Sequence, residues 1–145
     1  MNDPKNIASY PILIDEKVRL SDTDRQGHVN NVSFSFFYEA GRAAIVLGDP
    51  ALLEPDCFFV IVTTTIDFLG ELHYPGIVTV ANGIDRIGNS SISVRQALFQ
   101  DGRCASISNS VMAQVNIARS SAQPLAETAR GLLENMLMTA PIATG

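Results

Sequence analysis

The chain lacks nearly everything that marks a nucleic-acid, metal or membrane protein. Ten Lys and Arg stand against fifteen Asp and Glu, a formal charge of −5. The basic face of a general nucleic-acid binder is therefore missing, although a few local arginines suffice to meet the phosphates of an anionic cofactor. Only two cysteines occur, Cys57 and Cys104, both inside predicted strands. They have no metal-ligand spacing and are expected to be small core residues, reduced in a cytosolic setting. The apolar runs are too short or too interrupted to span a bilayer. Met1-Asn2-Asp3-Pro4-Lys5 has no basic-then-apolar leader, so a cytoplasmic protein is expected. Internal repeats and low-complexity segments are absent as well.

What remains is a strongly apolar chain. Hydrophobic residues make up 46% and charged residues 17%, which suits one domain over residues 1–145 with a sizeable core and argues against disorder. The most informative run is Asp22-Thr23-Asp24-Arg25-Gln26-Gly27-His28-Val29-Asn30-Asn31, set between a predicted strand and a predicted helix. It brings a carboxylate, a glycine turn and the start of an apolar helix within ten residues. The first amides of a helix have no intrahelical partner, and the dipole there favours negative charge. An acyl carbonyl becoming a tetrahedral oxyanion is the kind of charge such amides stabilise. The same residues also suit an ordinary Asx turn followed by an N-capped helix.

Periodicity supplies the surrounding elements. Ile12 to Leu20 alternates, with Ile12, Ile14, Val18 and Leu20 on one face, as a half-buried strand does. Val32 to Leu47 predicts a helix whose polar positions, Ser35, Glu39 and Arg42, form one narrow stripe. A helix apolar around most of its circumference is expected to be buried. Gly48-Asp49-Pro50 stops it. Strands are then predicted over 58–69, 77–87, 90–100 and 103–117, the third turning at Asp101-Gly102, a strong hairpin signal. Pro124 opens a short C-terminal helix with Leu125, Leu132, Leu133, Met136 and Leu137 broadly on one side. Three consecutive turn-linked strands imply antiparallel neighbours, and one very apolar helix needs a sheet to cover it.

This order resembles the hotdog-fold acyl thioesterases, an α+β class in which a curved antiparallel sheet wraps one long central helix. The likeness is closest to the 4-hydroxybenzoyl-CoA thioesterase-like branch. Asp24-Arg25-Gln26-Gly27 resembles the Asp-x-x-Gly turn that carries that branch's catalytic carboxylate. His28-Val29-Asn30-Asn31 is similar to the His-Val-Asn-Asn signature of long-chain acyl-CoA and plant acyl-carrier-protein thioesterases. Gly88-Asn89-Ser90-Ser91 and Tyr38-Glu39-Ala40-Gly41-Arg42 fit the family's mid-sheet hairpin and helix patterns. The match runs from about Tyr10 to Leu137. Two positions depart from it. Gln26 stands where the plant enzymes have Asn, and the benzoyl-CoA branch has an apolar residue in place of His28.

The resemblance implies a cofactor-free hydrolase that cleaves an acyl-CoA thioester to free acid and CoA. Asp24 would attack the carbonyl or activate a water. Gly27 would shape the turn, Asn31 would give its main-chain N–H to the thioester oxygen, and His28 would orient Asp24 or touch substrate. Asp22 is the weaker carboxylate candidate. Glu39 is the internal rival, because another hotdog branch carries its carboxylate on the helix; the plain alternative is a Glu39–Arg42 pair at i, i+3. Phe34, Phe37, Tyr38, Phe58 and Phe59 are enough aromatics for an acyl pocket, with Phe34, Tyr38 and Glu39 the substrate-side candidates. Arg86, Arg95 and Arg103 are the cations available for CoA phosphates. His73 has no partner at ligand spacing and is expected to be a loop residue, with no metal site. Hotdog subunits share active sites across an interface, so a homodimer or homotetramer is expected. Two other functions fit the pattern: hydrolysis of acyl groups on a carrier protein, and non-catalytic acyl-CoA binding on the same fold.

Overall fold

The computed structural model describes residues 2–140. β1 (Ile12–Lys17) leads through a short 3-10 turn at Leu20–Asp22 into α1 (Asn31–Val46). Then follow β2 (Cys57–Phe68), β3 (Ile77–Ile87), β4 (Ser91–Gln100), β5 (Arg103–Asn116), a two-residue β6 (Ser121–Ala122) and α2 (Glu127–Glu134). One curved antiparallel sheet forms a half-barrel in the order β1-β3-β4-β5-β2, with β6 on β5. The β4–β5 hairpin turns where expected: Asp101 and Gly102 have φ of +51° and +78°, the left-handed pair that a tight two-residue hairpin requires. On the β3 side, the segment after α2 bonds to Ile84, with Ile84 N donating to Met136 O at 2.7 Å. β2 is left as a free edge twelve residues long.

α1 packs on β1, β3 and β4. Phe34, Phe37 and Tyr38 enter one core with Leu72, Val78, Val80 and Leu98. Ile45 enters a second with Ile84, Ile92, Met112, Leu125 and Leu133. Close approach of helix and sheet depends on Gly41, where a Cβ would collide with Asn82 Oδ1 and lie 2.6 Å from Gln96 Nε2. Those two amides bond to each other at 2.8 Å, and Gln96 Nε2 also donates to Tyr38 O at 2.9 Å. The helix gives up side-chain volume there to reach buried polar groups that must be satisfied.

Two expectations fail. The helix is not buried all round: Val32, Phe36 and Leu47 are each more than 60% exposed. One sheet can cover only one side of a helix, so the chain contains a helix on a half-barrel and not a fully wrapped central helix. Leu20 is also exposed, because the chain leaves the strand at Lys17 and turns before its alternation is complete.

Candidate active site

The turn before α1 is a small closed hairpin. Thr23 bridges Val29, Asp24 N donates to His28 O at 2.8 Å, and Gly27 N donates to Asp24 O at 3.2 Å. Gly27 supplies the left-handed corner with φ of +82°, which an L-residue adopts only at a cost. Asp24 is exposed. Its Oδ1 accepts the amides of Gln26 at 2.8 Å and His28 at 3.3 Å, and among the described residues Oδ2 accepts no hydrogen bond. The carboxylate is thus aimed by its own turn, with one oxygen left for other work. Asp22 differs: its Oδ2 accepts Arg19 N at 2.8 Å, and its carbonyl accepts Asn30 N at 2.7 Å and the Ser33 hydroxyl at 3.2 Å. It ties the turn together.

Asn30 is the helix cap, its Oδ1 accepting Val32 N at 2.9 Å. Asn31, the first helical residue, is exposed, and among the described residues its N–H meets no acceptor. An orphan amide at a helix start, with the dipole behind it, is an anion site in miniature.

His28 does not aim Asp24 through its ring. The main-chain N–H does so, while ring Nε2 lies 3.3 Å from Glu71 Oε2. His73, expected to be a partnerless loop residue, comes to the same oxygen: its Nε2 is 3.9 Å from Glu71 Oε2, and the two imidazoles meet edge to face with centroids 5.3 Å apart. A bridge between His28 and His73 and a bond from Val29 N to Leu72 O at 2.9 Å join the two loops. Gln100 grips the second one: Oε1 accepts His73 N at 2.8 Å and Nε2 donates to His73 O at 2.9 Å. Glu71 and Gln100 carry no signal in the sequence, since only the folded sheet brings residues 28, 71, 73 and 100 together.

On α1, no Glu39–Arg42 ion pair forms among the described residues. Arg42 turns inward and its guanidinium donates to Gln96 Oε1 at 3.5 Å; burial lowers its pKa and Glu39 opposes that shift. Glu39 is exposed and lines two cavities. One, of about 550 Å³, lies between the end of β1 and α1 beside Asp22, Ser33, Phe36 and Phe37. The other, of about 470 Å³, has walls of Val46, Leu47, Leu53, Phe58, Phe59, Ile61 and Met112. Phe34 and Tyr38 are not on this surface. Both are fully buried in the core, and the Tyr38 phenol, its pKa pushed up by burial, donates to Ser106 Oγ at 2.6 Å. Their bulk supports the helix, and the apolar lining comes from residues the sequence could not separate from the core.

Arg95 is engaged by Asn109 at 3.0 Å and Asp85 at 3.6 Å, and Arg103 reaches Glu71 O at 3.4 Å. Arg86 is exposed. Burial raises the pKa of both Cys57 and Cys104, so neither is an activated thiol. No helix among the described residues is long and apolar enough to cross a membrane.

Solved structures of the same shape include thioesterases. A predicted thioesterase from Bacillus stearothermophilus is 29% identical, with a TM-score of 0.79 over 89% of this chain and 97% of that one. A thioesterase from Thermus thermophilus, in complex with coenzyme A and Zn, is 22% identical with a TM-score of 0.76, over 88% and 95% of the two chains. A protein from Pseudomonas aeruginosa strain PAO1 is 23% identical with a TM-score of 0.81, over 91% and 95%. No curated protein is significantly similar in sequence. Residues 18–133 match the Thioesterase-like superfamily. The chain belongs to that family.

Proposed function

We propose that the protein hydrolyses an acyl-CoA thioester to the free acid and CoA. The observation that carries this reading is the open N–H of Asn31 at the start of α1, on the same folded turn as an exposed carboxylate with one oxygen unengaged among the described residues. In this reading the thioester oxygen accepts the Asn31 N–H as negative charge develops on it. Asp24 either attacks the carbonyl carbon, giving a mixed anhydride that water then opens, or takes the proton of the water that attacks. The C–S bond breaks with its electron pair on sulfur, and the thiolate leaves as CoA. Gly27 and the His28 N–H hold the carboxylate in place. The apolar wall around Phe58 and Phe59 takes the acyl chain, and coenzyme A in the Thermus thermophilus structure supports a CoA carrier.

A second carboxylate has an observation of its own. Among the described residues Glu39 has no ion-pair partner, and it borders both cavities, so it is the alternative base. The working unit is a homo-oligomer, dimer or tetramer, paired through the free β2 edge, where Phe58, Val60, Ile61 and Val62 are exposed. A long apolar edge strand invites such pairing.

The test is thiol release from a panel of short, long and aromatic acyl-CoAs, with acyl-carrier-protein thioesters beside them. Turnover of at least one acyl-CoA without any carrier protein is expected. Activity restricted to the protein-bound carrier would move the substrate, and binding without turnover would make this a non-catalytic member of the fold.

A further inference from the structure

The place where the two loops meet has the makings of a metal site. Glu71 Oε2 faces two imidazoles, with His28 Nε2 at 3.3 Å and His73 Nε2 at 3.9 Å, and one donor atom from each of the three residues lies within 4.8 Å of the others. Among the described residues no hydrogen bond joins these side chains, so their convergence is not a formed network. Their backbones are fixed independently. His73 is gripped at both its N–H and its carbonyl by Gln100, Glu71 O accepts from Arg103 at 3.4 Å, and His28 is bridged to His73. Gly76 leaves the room Gln100 needs, since a Cβ there would lie 2.6 Å from Gln100 Nε2.

We propose that His28, Glu71 and His73 bind a divalent transition ion, Zn²⁺ by preference, in a surface site that clips the Asp24 turn to the 71–73 loop. Two imidazoles and one carboxylate suit zinc, cobalt or nickel far better than calcium or magnesium. Tetrahedral zinc holds its ligands roughly 3.4 Å from one another. The His28–Glu71 separation of 3.3 Å already meets that. The exposed His73 side chain has to rotate inward, closing on Glu71 by roughly half an ångström and on the His28 donor atom, which lies within 4.8 Å of it. All three side chains are partly exposed, so three protein ligands leave the fourth position to water. The ion crosslinks two segments far apart in the chain and stabilises the fold that presents both.

Isothermal titration of ZnCl₂ into protein stripped with EDTA tests this directly. One ion per chain is expected, with micromolar or tighter affinity, and Co²⁺ should give the visible absorption of a nitrogen- and oxygen-ligated ion. His73→Ala and Glu71→Gln should each weaken binding by roughly tenfold or more, with metal-free melting temperatures close to wild type because both side chains are exposed. As a check that needs no variant, NMR should show the imidazole resonances of His28 and His73 moving together on Zn²⁺ addition. Absence of saturable binding at millimolar Zn²⁺, unchanged affinity in both variants, or imidazole signals that stay still would each overturn the assignment. The readout is binding, so the outcome is independent of whether the protein hydrolyses thioesters.

Discussion

The Gln26 amide donates to Asp24 Oδ1 at 2.8 Å, so the carboxylate at the centre of the proposed chemistry is fixed by the backbone two residues along. It needs no ion-pair partner to hold its direction. Its orientation instead depends on the shape of the turn, and the shape of the turn depends on Gly27.

Gly27→Ala should therefore affect rate more than folding. The space around a Cβ at this position is empty, so the whole penalty is the left-handed backbone, about 1–2 kcal/mol. Thermal melting should fall by a few degrees, while turnover falls further because the amides aimed at Asp24 shift. An unchanged rate with lowered stability would make the turn a purely structural feature.

Gln100→Leu removes both bonds that grip His73 and leaves a half-exposed backbone pair for water to repair. A loss of about 1–2 kcal/mol is expected, read by thermal or chemical denaturation. Stability at the wild-type level would mean that the 71–73 loop is held by other contacts.

Much of this architecture is legible in the sequence, for identifiable reasons. Strand 77–87 is expected with the observed bounds, and the Asp101-Gly102 hairpin is expected because local chemistry alone decides such turns. The Asp24-x-x-Gly27 turn is legible for the same reason. What stays hidden depends on partners distant in the chain. Spacing along the helix pairs Arg42 with Glu39, three residues back, yet its guanidinium meets Gln96, 54 residues on. His73 has no partner at ligand spacing, yet it meets His28 across a bridge that exists only once β1 lies beside β3. Helical periodicity marks Val32, Phe36 and Leu47 as apolar, but it cannot say that the chain's own sheet covers only the opposite face. Phe34 and Tyr38 cannot be told from pocket residues, because core and pocket use the same side chains.

Glu39→Gln should lower turnover far less than Asp24→Asn. Glu39 lacks an ion pair among the described residues, so its loss should also leave stability nearly unchanged. Steady-state kinetics on the two variants decide the matter. An equal or larger loss at Glu39 would move the base from the turn to the helix.

Sedimentation should find a dimer or larger assembly at micromolar concentration. Val60→Lys places a charge on the exposed face of the β2 edge, a device that blocks strand pairing, and it should shift the protein toward monomer with loss of activity. A wild-type monomer would contradict a homo-oligomeric working unit.

Asp24 itself gives the most direct measurement. Asp24→Asn keeps an oxygen to accept the Gln26 and His28 amides and removes the charge and the nucleophile. Asp24→Ala, measured beside it, guards against deamidation of the Asn back to Asp. Under saturating acyl-CoA, thiol release should fall by about two orders of magnitude or more in both variants, with the Asn variant melting near wild type. Near-wild-type hydrolysis in both, with folding intact, would contradict the account.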